Sequence, residues 1–455
     1  MATLSSYRRN GLGLLFLLSA LVQSAAGCSD EPAQPASPRE QAHDEIPSGA
    51  VGDDDAAPAA ISVRGTVLDM GRSPLAGVPV LIGDHPLALT DTSGQFTVPN
   101  VSPPYTVTVL LGTSKTVVIY EGLSRPDPTI VAGDPTAQPR QAGIQGTLAG
   151  GGGYPEAALT RTSVQLAAAA LFASTPEYSQ AGGNTFILPP QCNLWTGPAT
   201  IHGTLHALQY THKAANDFKP IDYKGYGTLT NVAITEGDNE VAKQITLGPI
   251  GKVSFSASVT APADYAVTQK RLRLTVGGQV AIDLPKETQP SPDIHYPLPA
   301  IGDAKVRVVV SAENATTGAV STTTKNELPL DAANATIGIL PSPTLVLPVD
   351  KATGVTMNTP FSWTKLDGGV HVFVLIAGPS NPHYQIVTAA TEARLPDLAS
   401  AGIQPPPGTT YNWAVVAVAP FASVDAYAGD DVADRNALPV LYEAQSSLRS
   451  FTTAP

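Results

Sequence analysis

Three histidines, His202, His206 and His212, sit close together in the chain. Imidazole is the commonest side-chain metal ligand. On a helix, His202 and His206 would stand one turn apart on one face. The segment Ala199-Thr200-Ile201-His202-Gly203-Thr204-Leu205 reads instead as a strand, because Gly203, Thr204 and Tyr210 disfavour helix. Four strand residues span about 13 Å, too far for one metal with bonds of about 2 Å. The sequence therefore predicts no shared metal site and no cofactor. Cys192 would need a base poised beside its thiol to be catalytic; the alternative reading is a buried small hydrophobe. Asp91 and Ser93 lie close together but suit a hairpin turn. Asp53-Asp54-Asp55 lacks the alternating ligands and distal Glu of a calcium loop and reads as a solvated charge run. No H-E-x-x-H, G-x-S-x-G or phosphate-binding glycine loop is present in the sequence. These readings assign no catalytic residue.

The remaining reactive residue is Cys28. Arg8 and Arg9 precede an apolar run from Leu12 to Val22, and Ala25-Ala26-Gly27 leads directly into Cys28. The run is too short to cross a bilayer as a helix, which takes about 20 residues. Basic residues, apolar run and small residues together form a secretory signal. With the cysteine at the cleavage point, the segment resembles a bacterial lipoprotein signal, with Ala25 where Leu is usual. The resemblance implies a mature chain that begins at an acylated Cys28. Several acyl chains give stable anchoring where one is marginal. Ser29 follows the cysteine, which by the sorting rule of enteric bacteria implies the outer membrane.

Removing residues 1–27 also removes Arg8 and Arg9, taking the net charge from −12 to −12 − 2 = −14. That balance, with no basic cluster, excludes nucleic acid as a partner. Hydrophobic residues are 43% and charged residues 14%, a globular balance. The 42 prolines and 40 glycines, with abundant Thr and Val, call for short strands and many turns. Residues 28–60 are Pro-, Ala- and acid-rich and too polar to bury a core, so they form a disordered tether.

Beyond the tether the sequence predicts an all-β protein of β-sandwiches in tandem. Residues 61–132 alternate in Ile61-Ser62-Val63-Arg64-Gly65-Thr66-Val67 and in Tyr105-Thr106-Val107-Thr108-Val109. Between them Thr90-Asp91-Thr92-Ser93-Gly94-Gln95-Phe96 places Gly94 where a hairpin needs a positive φ. The order G-x-V, P-L-A-G-V-x-V, T-D-x-x-G-x-F, P-Y-x-V-x-V resembles the carboxypeptidase regulatory-like domain. That implies a transthyretin-like sandwich without catalytic residues. Residues 142–250 read as a second, diverged copy, with the Ala-rich stretch after Val164 read as strand. Residues 251–340 make a third sandwich. Its runs Leu272-Arg273-Leu274-Thr275-Val276 and Ala304-Lys305-Val306-Arg307-Val308 alternate like half-exposed strands.

In residues 341–455, Pro407-Gly408-Thr409-Thr410-Tyr411-Asn412-Trp413-Ala414-Val415-Val416-Ala417 resembles fibronectin type III domains. The resemblance implies a tyrosine corner at Tyr411, its hydroxyl bonded to nearby backbone, and a core tryptophan at Trp363. Residues 422–436, rich in Asp and Ala, read as a surface-loop insertion. Trp195, Tyr210, Tyr223 and Tyr226 are the aromatics that could line a carbohydrate site. Together these readings give a non-enzymatic cell-envelope lipoprotein, lipid-anchored to membrane. It would display sandwiches for adhesion, scaffolding or ligand contact, with envelope proteins or glycans as partners. The alternative is an accessory subunit of an envelope peptidase or a nutrient-uptake system.

Overall fold

The computed structural model describes residues 59–455 except 113–114, 134–138, 153–158, 170, 175, 179–183, 215–216, 379–380 and 430–437. Cys28 and the tether up to residue 58 lie outside the described residues. The chain is all-β, built of β-sandwich units in tandem.

Residues 61–132 carry β1 (Ile61–Leu68), β2 (Pro79–Ile82), β3 (Ala88–Leu89), β4 (Gln95–Val101), β5 (Tyr105–Leu111), β6 (Thr116–Leu123) and β7 (Thr129–Val131). The second unit carries β8 (Arg140–Gly150), β9 (Thr160–Ala167), β10 (Leu171–Ser174), β11 (Glu177–Tyr178), β12 (Thr185–Leu188), β13 (Asn193–Trp195), β14 (Thr200–Ala214), β15 (Asp217–Thr235), β16 (Gly237–Glu240) and β17 (Ile245–Leu247). Of the Ala-rich stretch, Val164 to Ala167 belong to β9 and Leu171 onward to β10, but Ala168 and Ala169 leave the strand in a turn that the Leu171 N–H closes onto the Ala168 carbonyl, so the strand reading holds on either side of the turn and not through it. The third unit carries β18 (Lys252–Thr260), β19 (Tyr265–Val276), β20 (Gln279–Asp283), β21 (Asp293–Pro299), β22 (Lys305–Asn314), β23 (Val320–Leu328) and β24 (Ala335–Gly338). The last carries β25 (Leu345–Leu347), β26 (Ala352–Val355), β27 (Phe361–Trp363), β28 (Val370–Ile376), β29 (His383–Thr388), β30 (Glu392–Ala393), β31 (Thr410–Ala419), β32 (Val440–Gln445), β33 (Arg449–Thr453) and one helical turn, α1 (Val424–Tyr427).

The units do not hang as separate beads. One sheet runs β20-β19-β22-β23-β32-β31-β28-β29-β6-β5-β2-β3 and so crosses the third, the last and the first units in that order. Two seams make it continuous. At one, β23 pairs antiparallel with β32, from Val320↔Gln445 to Lys325↔Val440. At the other, β29 pairs parallel with β6, from His383↔Thr116 to Val387↔Tyr120. The last unit in the chain thus lies between the first and the third.

Sequence explains why β28 can sit mid-sheet. Its run Val370-His371-Val372-Phe373-Val374-Leu375-Ile376 is buried at every position, the pattern of a strand covered on both faces. On one face Val370, Val372, Val374 and Ile376 join Val107, Val109, Val118 and Tyr120 of the first unit in one core. On the other, Phe373 and Leu375 pack with Trp363, Tyr384, Tyr411 and Trp413, and Leu110, Val117 and Ile119 of the first unit complete that core. The first and last units therefore share both a sheet and their interiors.

The surface-loop reading of residues 422–436 fails in its first half. Val424 and Tyr427 of α1 are buried in the core shared with the first unit. Asp425 Oδ1 accepts from the backbone N–H groups of Ser124 (2.7 Å) and Arg125 (3.1 Å). Apolar burial and these bonds dock the turn against the first unit. Its second half lies outside the described residues.

Candidate functional site

Ionisable side chains concentrate where the second unit meets the third. β14 pairs with β9 so that His206 stands opposite Gln165, and both are buried. Their strands lead against β20. Gln165 Oε1 accepts from the backbone N–H of Asp283 at 2.7 Å. Asp283 Oδ1 accepts from Arg271 Nε at 2.6 Å, and Oδ2 from Arg273 Nε at 3.1 Å. The Asp283 side chain is wholly buried, and a carboxylate there is tolerable only with such partners. Arg271 and Arg273 lie on alternate positions of β19 and reach the same acid because strand residues two apart share a face. Burial works against the charge on Arg273, while Asp283 supports it.

A second ionic group lies nearby. Glu287 pairs with Lys219 of the second unit and lies 3.5 Å from Lys270 Nζ. Lys270 Nζ also donates to the carbonyls of Ser291 (2.9 Å) and Asp293 (3.2 Å). Burial pulls the Lys270 ammonium below its ordinary range, against the pull of Glu287. Lys219 Nζ donates to the carbonyl of His295 at 2.7 Å, and the Tyr223 hydroxyl donates to that of Pro297 at 2.7 Å. Leu208, Tyr210 and Tyr223 of the second unit sit in the core of the third. The junction is thus an apolar contact framed by charge pairs, and its bonds run from one unit to the next.

The histidines do not converge. His202 is exposed on β14. His206 Nδ1 hydrogen-bonds the Tyr226 hydroxyl at 2.8 Å, and burial lowers its pKa to about 4. Burial pushes the Tyr226 phenol up to about 12. His212 is buried against Phe218. Among the described residues no three His, Cys, Asp or Glu side chains gather as metal ligands.

The proposed carbohydrate-facing aromatics turn inward. Trp195, Tyr210 and Tyr223 are buried, and Tyr226 is half-buried. Trp195 Nε1 donates to the carbonyl of Pro198 at 2.8 Å, so the indole is a core group with its polar edge satisfied. Burying rings of this size removes a large apolar area from water, and they join Phe186 in one core and Phe255, Tyr265 and Tyr296 in the other. Cys192 is buried as well.

Gly94 has φ +73°, and a Cβ there would lie 2.5 Å from the Val67 carbonyl oxygen. Asp91 Oδ1 accepts from Ser93 N (2.8 Å), Ser93 Oγ (2.7 Å) and Gln95 N (3.0 Å) around the same turn. Those bonds, the Ser93 hydroxyl first, hold the Asp91 carboxyl below its ordinary range. In the last unit Trp363 is buried and stacks on Phe373. Tyr411 is fully buried and stacks on Phe451. Among the described residues its hydroxyl has no hydrogen-bond partner, so the tyrosine-corner bond to backbone is not made.

Sequence reasoning missed the Arg271–Asp283–Arg273 group. The alternation in β19 and β22 read as half-exposed, yet Arg273 and Arg307 are buried. Asp283 of the neighbouring strand β20 bonds Arg273, Gln165 of the second unit reaches the same strand at the Asp283 N–H, and Arg307 Nε donates to Asn326 Oδ1 at 2.6 Å. Arginine at alternate positions with an aspartate ten residues on was the available signal.

No protein-family model and no curated protein matches the chain. Among solved structures, the Bacillus anthracis TIE protein matches at 10% identity and TM-score 0.15, over 62% of this chain and 50% of that one. The chain thus spans about half the length of that structure. A tetra-tandem repeat from the extending region of a large adhesion protein matches at 10% identity and TM-score 0.16, over 86% of this chain and 99% of that one. The FN1–FN3 domains of chicken CNTN1 match at 10% identity and TM-score 0.16, over 70% and 100%. At such scores these likenesses carry no argument about function.

Proposed function

We propose that this chain is a non-enzymatic lipoprotein of the cell envelope. Acylated at Cys28, it holds a connected body of sandwiches on a tether for adhesion or scaffolding, facing envelope proteins or glycans. The signal-like segment ending at Cys28 and the acid- and proline-rich stretch after it support the anchor. One observation supports the non-enzymatic role above others: the buried Asp283 carboxylate is held by Arg271 and Arg273 of its own unit, while its backbone N–H donates to Gln165 of the neighbouring one. The acid's side chain is thus fully engaged within the β19–β20 pair of the third unit, and its backbone N–H ties that pair to Gln165 of the second. This is the kind of buried ionic arrangement that fixes how parts dock rather than one that offers a reacting atom.

Fractionation of cells expressing wild type and Cys28→Ala, with the wild type screened on glycan arrays and in envelope pull-downs, tests the reading. The expected result is membrane-bound wild type, soluble variant and a captured envelope ligand. Membrane retention of Cys28→Ala overturns the anchor; a purified protein that turns over substrate overturns the non-enzymatic role.

A further inference from the structure

The order of units in space differs from their order in the chain, and this has a mechanical consequence. The first and last units are joined at β6–β29 by five register pairs, Thr116↔His383 through Tyr120↔Val387. Side chains on both faces of that seam are buried: Val118, Tyr120 and Val387 on one, Val117, Ile119, Tyr384 and Ile386 on the other. The turn α1 straps the same joint. Asp425 binds the Ser124 and Arg125 backbone. Arg125 Nη1 returns a bond to the Asp425 carbonyl at 2.9 Å, and Thr129 N donates to the Ala428 carbonyl at 2.8 Å. Everything in the chain between β6 and β28, the second and third units included, is a loop closed by this joint.

We infer that the β6–β29 seam with its α1 strap is a latch that keeps tension between the chain's two ends off the second and third units. While the seam holds, Leu123 and Val370 stay at a fixed separation. The segment between them cannot lengthen, whatever force acts on the ends. Load passes from the first unit into the last across a sheet buried on both faces. The middle units can be drawn out only after the latch parts. The inference needs neither Cys28 nor the tether, so it stands or falls apart from the envelope reading.

Single-molecule pulling of the full chain tests it. With handles at the two ends, the contour length of the middle units, at about 3.6 Å per residue, is released only after the event that parts the first and last units. Asp425→Ala lowers the force of that parting event. Asp283→Asn, which strips the buried counter-charge from the middle units, leaves it unchanged. With handles moved to the exposed positions Gln141 and Pro341, the pattern inverts: Asp283→Asn lowers the first force and Asp425→Ala does not. A middle-unit release that precedes the parting event in the end-pulled wild type overturns the latch. So does an end-pulled first force that falls with Asp283→Asn and ignores Asp425→Ala.

Discussion

Ile119→Ala probes the shared interior of the first and last units. Ile119 belongs to the first unit in sequence, is 2% exposed and pairs in register with Ile386. Its side chain lies in the core built around Phe373, Trp363, Tyr411 and Trp413. Truncating a buried isoleucine to alanine costs about 2–5 kcal/mol through lost transfer energy and the cavity left behind. For a cooperative unit of this size that is on the order of 5–15 °C in melting temperature. If the two units share one core, the cost falls on both. Amide hydrogen exchange followed by mass spectrometry reads this strand by strand. The amides of β28 and β31, more than 240 residues along the chain (370 − 119 = 251 to the first), should exchange at least about thirtyfold faster, the equivalent of about 2 kcal/mol. Peptides of β18 and β21 should change little. Faster exchange confined to residues 61–132, with β28 and β31 as protected as in wild type, refutes the shared core.

Asp283→Asn keeps the side chain's shape but leaves the buried Arg273 and the half-buried Arg271 without their acid; unfolding by urea should show a loss of about 3–5 kcal/mol, and a neutral result would mean the guanidinium groups reach water. Gly94→Ala puts a Cβ against the Val67 carbonyl at a positive φ and should lower the melting temperature by the equivalent of about 1–3 kcal/mol, read by calorimetry. Burial holds His206 and His371 neutral with pKa values of about 4, below the unfolded value of about 6.5. As the pH falls from about 6.5 towards 4, the unfolded chain takes up protons that the folded chain refuses, so stability is complete above that window and drains away through it. Each histidine contributes about 1.4 kcal/mol per pH unit there, and chemical denaturation at stepped pH should show His206→Gln with a shallower slope than wild type.

Local structure was legible where one unit alone decides it. The alternation of β1 and the turn at Asp91–Gly94 follow from strand period and backbone sterics, and both stand where the residues place them. The all-β class followed from the same alternation with the glycine and proline content. What joins the units was not legible. The unbroken apolar run of β28 announces a strand covered on both faces but not by what. β6 and β29 pair through backbone, and no residue type in either marks the other as partner. Arg273 and Arg307 misled for the same reason: alternation says that two faces differ, and burial of the polar face depends on a neighbour that periodicity does not contain. Tyr210 and Tyr223 read as available rings because their partner core belongs to the third unit.

The closed arrangement rests most directly on the β6–β29 register, and a cysteine pair at Val118 and Gln385 measures it. These residues are register partners on strands about 4.8 Å apart, within the Cα separation of about 7 Å that a disulfide spans. Mild oxidation of Val118→Cys/Gln385→Cys, in a Cys28→Ala/Cys192→Ala background, should give an intramolecular crosslink between the two strands, seen as one linked pair in the non-reduced peptide map of a monomer. Two reduced cysteines, or a crosslink only between separate chains, would contradict it.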